Sequence, residues 1–406
     1  MNALQSRPTA VMYGAGNIGR GFITQLFSLS GYHTTFVDVV DAVVNELNEK
    51  NEYPLYITRD GEYERTVVTN VGAVDGKNPD AVADAIAEAD IMATAVGVNV
   101  LKFIAAPIAG GVKKRMANGK GPLNIIVCEN KIDANIYLHD LIAENLNDEE
   151  KEYFDNNFGF VEASIGRMVP ATPADIKAKE PLAVCVEPFC TLPVDSAAFK
   201  GEIPAITNML PYAPFELYIE RKLYMHNMSH AVCAYLGFLF GYEYIWQAAS
   251  DIRIRYIALA ALNESAEALS KHHNADIVPL IEHSFDLLTR YDNKLLADTI
   301  ARVGADTKRK LSPVDRIPGA IKRADGCLLP HKFIEAGLAA GLLFAPEGDA
   351  SALEVSTYAK ENGVAAALEK YSDITDPVIV ARVGKLYDAL SADPDNALDL
   401  IIKEKI

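Results

Sequence analysis

Thr9-Ala10-Val11-Met12-Tyr13-Gly14-Ala15-Gly16-Asn17-Ile18-Gly19 is the stretch on which the fold turns. Five residues with the character of a buried strand run directly into glycines spaced Gly-x-Gly-x-x-Gly, and residues 16–30 then carry apolar side chains at helical spacing. A second strand is expected over residues 34–39, with Asp38 near its end, 19 residues after Gly19. Strand, glycine turn, helix, strand and acid in that register are the fingerprint of a dinucleotide-binding βαβ unit. Gly14 permits the tight turn, Gly16 leaves room for a pyrophosphate, and Gly19 lets helix and strand approach closely. The free N–H groups at the helix start, around Ala15, Asn17 and Ile18, face the phosphates. Asp38 would accept hydrogen bonds from ribose hydroxyls and repel the extra phosphate of NADP, and Val39 and Val40 supply no cation to receive it, so NAD is the expected cofactor. Without the flanking strand, helix and acid, the glycines would indicate only a tight strand-to-helix turn.

Working outward, residues 42–49 read as a second helix, and residues 91–96 and 123–128 as further buried strands. Strands alternating with helices indicate a parallel sheet covered on both faces. Val96-Gly97, at the end of one such strand, is a positional candidate for contact with the nicotinamide half of the cofactor. Residues 53–71, with a turn at Arg59-Asp60-Gly61, read as an inserted hairpin that a minimal dinucleotide fold does not need. After Pro193 the strand signals thin out and long amphipathic helices are expected over residues 217–240, 244–272 and 277–290, and onward to the end. The fold class is therefore α/β: an N-terminal Rossmann-like doubly wound sheet over residues 1–200 and a C-terminal, mostly α-helical domain over residues 201–406. A substrate is expected in the cleft between them.

The chain has 406 residues, more than one core supports, which agrees with two domains. Its net charge of −17 disfavours nucleic acid and anionic membrane surfaces as partners. Five cysteines without a Cys-x-x-Cys pair argue against a disulfide framework or a zinc knuckle. No apolar run reaches the roughly 20 residues that cross a bilayer, and a cytoplasmic protein is expected. The oligomeric state is not readable.

Hydride transfer needs a group that accepts the alcohol proton and donors that polarise the carbonyl. The histidines form no His-Glu-x-x-His pair, so a side chain rather than a metal is expected in that role. Lys222, Asn227 and His230 fall in a predicted helix, where His230 lies ~80° and Asn227 ~140° round from Lys222, so the three can line one wall. Spacing alone favours a solvated lysine with core or capping partners, and His226, one turn after Lys222, rivals His230.

Lys222-x4-Asn227-x2-His230 resembles the active-site motif of the polyol-specific long-chain dehydrogenases, the mannitol dehydrogenase family. The motif is accompanied by Gly14-to-Gly19 continuing into Arg20-Gly21-Phe22, then Thr94-Ala95-Val96-Gly97, Cys128-Glu129-Asn130 and Glu187-Pro188-Phe189. Arg221-Lys222-Leu223-Tyr224 and Arg309-Lys310-Leu311-Ser312-Pro313-Val314-Asp315-Arg316 complete the series in the family's order. The resemblance implies a metal-independent, NAD-dependent enzyme acting on polyols and ketoses or their phosphates. It makes Lys222 the general acid/base, Asn227 and Asn130 donors to the developing alkoxide, and His230 the group that orients lysine or substrate. Two departures concern the substrate: Asn227-Met228-Ser229-His230 stands where mannitol-phosphate-using members read Asn-Thr-Gly-His, and Gly166-Arg167 stands where they read Asp-Arg.

Mannitol 1-phosphate and fructose 6-phosphate are the leading substrate pair, with free mannitol or a hexuronate as the alternative. A phosphate needs cations, and Arg309, Lys310 and Arg316, with Lys308, form the densest basic patch of an acidic chain. A solvated basic helix end would look the same. A catalytically idle NAD-binding sensor is the reading from another class, and the intact Lys222, Asn227 and His230 argue against it.

Overall fold

The computed structural model describes residues 7–59 and 61–406, which leaves Asp60 of the expected hairpin turn outside the described residues. Thr9–Tyr13 forms β1, followed by a π-helical turn over Gly19–Ile23 that continues into α1 (Thr24–Leu29). Then come β2 (His33–Asp38), α2 (Asp41–Lys50), β3 (Glu52–Arg59), β4 (Glu62–Thr69) and β5 (Val71–Asp75). Next are α3 (Pro79–Glu88), β6 (Ile91–Thr94), α4 (Leu101–Ala117), β7 (Leu123–Val127), α5 (Ala134–Ala143), α6 (Asp148–Asn157) and β8 (Phe158–Glu162). Strands β5-β2-β1-β6-β7-β8 form one parallel sheet. Counting only its own strands, the order is 3-2-1-4-5-6, that of a doubly wound dinucleotide-binding sheet.

The period of two in β1 places its side chains alternately on two cores. Ala10 and Met12 join Phe22, Leu26 and Phe36 on one face, while Val11 and Tyr13 join Val82, Ile86 and Ile104 on the other. The hairpin β3–β4 finds its partner in β9 (Val184–Val186), which follows α7 (Ala174–Lys179), and this second, three-stranded sheet seals the first face. Tyr53 and Leu55 of β3 and Val184 of β9 pack into the same core as Phe22, and Tyr53 donates its hydroxyl to the Arg20 carbonyl at 2.6 Å. The inserted hairpin is thus a buttress for the glycine-loop helix.

The chain divides into two compact units after Phe215, later than the expected boundary at residue 200. The reason is a non-local pairing: β10 (Leu192–Asp195) runs parallel to β11 (Met209–Tyr212), and Val194 bridges Ala163 just beyond β8. That ties the chain through residue 212 to the first unit.

The second unit is helical. The helix expected over residues 217–240 is three segments in succession: α8 (Glu216–Glu220), a π-helical stretch over Arg221–Asn227, and α9 (Met228–Leu239). It is followed by α10 (Ile245–Ser250), α11 (Ile252–His273) and α12 (Val278–Tyr291). Asp251 separates α10 from α11 by capping the latter, its carboxylate accepting from Arg253 N at 2.9 Å. Then come α13 (Ile300–Gly304), α14 (Thr307–Lys310), α15 (Arg316–Gly326) and α16 (Lys332–Leu343), with α17 (Ala350–Asn362), α18 (Val364–Ser372), α19 (Pro377–Ala392) and α20 (Pro394–Ile402) completing the unit. α9 is almost wholly buried and packs against α11, α13 and α16. Among the described residues, no helix is long and apolar enough to cross a membrane.

Candidate active site

In the first unit, the glycine loop leaves β1 with Gly14 at φ +99°, a conformation L side chains rarely adopt, and Gly14 N donates to Val37 O at 2.8 Å. A Cβ on Gly19 would stand 2.0 Å from the Gly14 carbonyl oxygen, so only glycine lets the helix start this close to the strand. A Cβ on Gly16 would meet nothing within 4 Å: the loop is open on the side a pyrophosphate would approach. Ala15, Asn17 and Ile18 lie between them at the helix start, and Arg20 Nε closes the loop from behind by donating to Ala15 O at 2.6 Å. Asp38 is joined to this loop. Its Oδ2 accepts from Ala15 N at 2.8 Å, so the Ala15 N–H expected to face the phosphates is taken, and its Oδ1 accepts from Val40 N at 3.0 Å; each oxygen keeps a lone pair for a further donor. In the β2–β5 register Asp38 faces Asp75, a second carboxylate at the same sheet edge. Lys77, which follows, is committed to Asp41 at 2.6 Å. The loop therefore fits a dinucleotide with unsubstituted ribose hydroxyls.

Val96-Gly97, at the end of β6, is fastened by a carboxylate. Glu129 Oε1 accepts from Val96 N and Oε2 from Gly97 N, both at 2.9 Å, and burial raises this carboxyl above its ordinary value. The same turn walls the glycine loop, since a Cβ on Gly14 would lie 2.5 Å from Ala95 O. Asn130, the next residue after Glu129, is exposed at the end of β7.

In the second unit, Lys222 and Asn227 both fall in the π-helical stretch, with His230 in the first turn of α9. Hydrogen bonding from i to i+5 places residues five apart near one another round the axis, so Asn227 stands closer to Lys222 than the ~140° of a regular α-helix. His230 stacks on Tyr291, with ring centroids 4.8 Å apart and planes 11° from parallel. Its Nε2 lies 3.6 Å from Asp298 Oδ2, too long for a hydrogen bond. Burial, and then the cations Arg302, Lys310, Arg316 and Arg290, push His230 down to about 3. His226 is also held neutral, first by burial and then by Arg290, His230, His283 and Lys222.

The sequence-predicted phosphate contacts are largely committed to partners of their own. Arg309 binds Asp306 and, at 3.0 Å, Asp315; Arg316 Nε binds Asp315 at 2.7 Å. Lys310 is buried and donates to Val303 O at 2.7 Å, and burial followed by Arg316 and Arg309 lowers it to about 7. Lys310 and Arg316 nonetheless lie near enough to His230 to depress its basicity. Glu220, His272 and His273 converge in the way metal ligands do, but Arg323 already occupies that position, donating to Glu220 and lying 3.1 Å from His272 Nδ1.

Sequence reasoning passed over Glu129, although its position inside the Cys128-Glu129-Asn130 block was a usable signal. Asp298 and Tyr291 lie in no motif and had none. Arg167, the arginine kept in the departing Gly166-Arg167 pair, is structural: it donates to Gly21 O at 2.9 Å and Glu187 O at 2.8 Å, tying the 166–168 segment to the glycine-loop helix.

Residues 8–208 match the mannitol dehydrogenase Rossmann domain and residues 215–391 the mannitol dehydrogenase C-terminal domain. The mannitol-1-phosphate 5-dehydrogenase of Thermoanaerobacter pseudethanolicus is 37% identical over 90% of this chain and 94% of its own. That of Brevibacillus brevis is 38% identical over 87% and 90%. Among solved structures, D-sorbitol dehydrogenase superposes with a TM-score of 0.80 at 17% identity over 97% of this chain and 95% of its own. Pseudomonas fluorescens mannitol 2-dehydrogenase, in complex with NAD and D-mannitol, gives 0.74 at 17% over 98% and 95%. Both domains are accounted for in their proper order, and the chain belongs to the mannitol dehydrogenase family.

Proposed function

We propose that this NAD-dependent oxidoreductase interconverts mannitol 1-phosphate and fructose 6-phosphate, with Lys222 as the acid/base. The observation that carries the reading is the match, across both domains and about nine-tenths of the chain, to relatives named for that activity. NADH, when held by the Gly14-to-Gly19 loop and Asp38, would supply the hydride. As the carbonyl becomes an alkoxide, the Lys222 ammonium delivers a proton to its oxygen, and in oxidation the amine takes it back. Asn227 and Asn130 donate hydrogen bonds to that oxygen, and neutral His230 orients the lysine or a substrate hydroxyl.

The electrostatics support this division of labour. His230 and His226 are held neutral and do not compete for the proton. Lys310 and Arg316 supply positive potential on the His230 side. The chemistry is that of a cytoplasmic enzyme with a small-molecule partner. Following NADH oxidation with fructose 6-phosphate, fructose and fructuronate tests the reading. The specificity constant for fructose 6-phosphate should exceed the other two by orders of magnitude, and equal constants would replace the phosphate reading with a free-polyol or uronate one.

A further inference from the structure

Arg221 is the one arginine among the described residues whose guanidinium has neither a hydrogen-bond acceptor nor an ion-pair partner. Every other arginine donates to a carboxylate, a backbone carbonyl or an amide oxygen, except Arg59, which lies in an ion pair 3.6 Å from Glu64; those of the basic block, Arg309 and Arg316, are neutralised by Asp306 and Asp315. Arg221 instead lies 4.3 Å over the ring of Tyr218, one turn earlier in the same helix. Stacking engages the face of the guanidinium and leaves its in-plane N–H donors free, the edge that grips phosphate bidentately. One carboxylate, Asp286, acts on Arg221 through its charge but makes no hydrogen bond to it. Asp286 is taken by Arg290 at 3.3 Å, and His283 on the same helix is kept neutral by burial, Arg221 and Arg290. A half-buried, unpaired cation is unfavourable unless something pairs with it. This one adjoins Lys222 in the sequence and shares its π-helical stretch.

We propose that Arg221 is the residue that receives the phosphate of the substrate, its guanidinium edge completing the ion pair that the folded chain leaves open. The assignment rests on the phosphate reading above. It gives the basic block a different part: Lys310 and Arg316 shape the potential at His230, and Arg221 makes the contact.

Arg221→Gln and Arg221→Lys test it, with inorganic phosphate as a probe. Charged hydrogen bonds of this kind should make Arg221→Gln raise KM for fructose 6-phosphate roughly 10- to 100-fold, with Arg221→Lys intermediate. Slow turnover of fructose should stay within about twofold. Because the native cation is unpaired, Arg221→Gln should leave Tm unchanged or raise it. Inorganic phosphate should raise the Tm of the wild type but not that of Arg221→Gln. A large loss of Tm in Arg221→Gln would make the residue structural and overturn the proposal. So would an unchanged preference for fructose 6-phosphate over fructose, and if Arg309→Gln with Arg316→Gln abolishes that preference instead, the phosphate reading stands with its contact in the basic block. A wild type without the preference would overturn both.

Discussion

Glu129→Gln asks whether the end of β6, and through it the cofactor loop, is held by charge. The carboxylate takes one amide on each oxygen, Val96 N and Gly97 N, at 2.9 Å. Glutamine keeps one acceptor oxygen but turns an NH2 group onto the other amide, leaving a buried N–H unpaired at a cost of about 1–3 kcal/mol. The loss of a charged hydrogen bond adds about 1.5–3 kcal/mol. Removing a buried charge offsets part of this, since burial already raises the Glu129 carboxyl. A net loss of about 2–3 kcal/mol corresponds to a fall in Tm of roughly 4–12 °C for a unit of this size. Because the Ala95–Val96 turn walls Gly14, NADH affinity should fall several-fold as well. Thermal unfolding and a fluorescence titration with NADH measure the two effects. A variant with wild-type Tm and wild-type NADH affinity would refute the argument that this buried carboxylate holds the turn.

Lys222→Ala should lower kcat by at least ~10²-fold while NADH still binds in titration, and retained turnover would remove Lys222 from its role. Asp38→Ser should raise the relative specificity constant for NADPH about tenfold, as expected for deleting one nearby charge. It should not invert the preference, because Asp75 remains and no cation is added. NADPH turnover in the wild type equal to that with NADH would contradict the reading. His230→Gln should leave the shape of the pH–rate profile above pH 5 unchanged, since His230, at about 3, does not titrate there. A shifted limb would show that it does. Glu264 accepts from Phe333 N and Ile334 N at 3.0 Å each, and burial raises it from the ordinary 4.5 to about 7. The folded state then holds a proton the unfolded state has released, so stability is full below about pH 4.5 and falls by about 3 kcal/mol as pH rises through 7. Glu264→Gln should flatten that slope in a Tm series, and an unaltered slope would exclude Glu264 as its source.

The sheet was legible where local pattern and burial agree. β1 spans the five residues read for it, and β2, β6 and β7 differ from their expected ranges by one or two residues. β5 was not read as a strand: only Val71 fell in the expected hairpin, because it follows β4 after the single residue Asn70, in the left-handed region at φ +62°, and nothing in so short a run announces a change of sheet. The pairings of β3 with β9 and of β10 with β11 join residues far apart in sequence, which periodicity does not report. The π-helical stretch escaped for another reason: over a single turn, the apolar spacing of i+4 and i+5 registers is the same to within one residue. The neutralisation of Arg309 and Arg316, by contrast, was written beside them, in Asp306 and Asp315.

These electrostatics bear on which side chain of the Lys222, His226 and His230 group could move the proton. A donor for ketone reduction must hold its proton at neutral pH and release it as negative charge grows on the oxygen. Burial, and then the cations around it, push the His230 imidazole down to about 3, so it is neutral at pH 7. His226 is depressed in the same direction by its burial and by the cations around it. Both rings share their surroundings with Tyr291, His230 by stacking on it and His226 through its carbonyl, which accepts the Tyr291 hydroxyl at 3.0 Å. What disables the histidines as acids suits them as fixed, neutral hydrogen-bonding groups, since an imidazole without charge donates from one nitrogen and accepts at the other. Of the three, the lysine is the side chain whose ordinary charge state at pH 7 is the proton-carrying one. On the function proposed above, burial and then the cations around it hold His230 neutral and leave the proton to Lys222, and Lys310 and Arg316 of the basic block add to that effect.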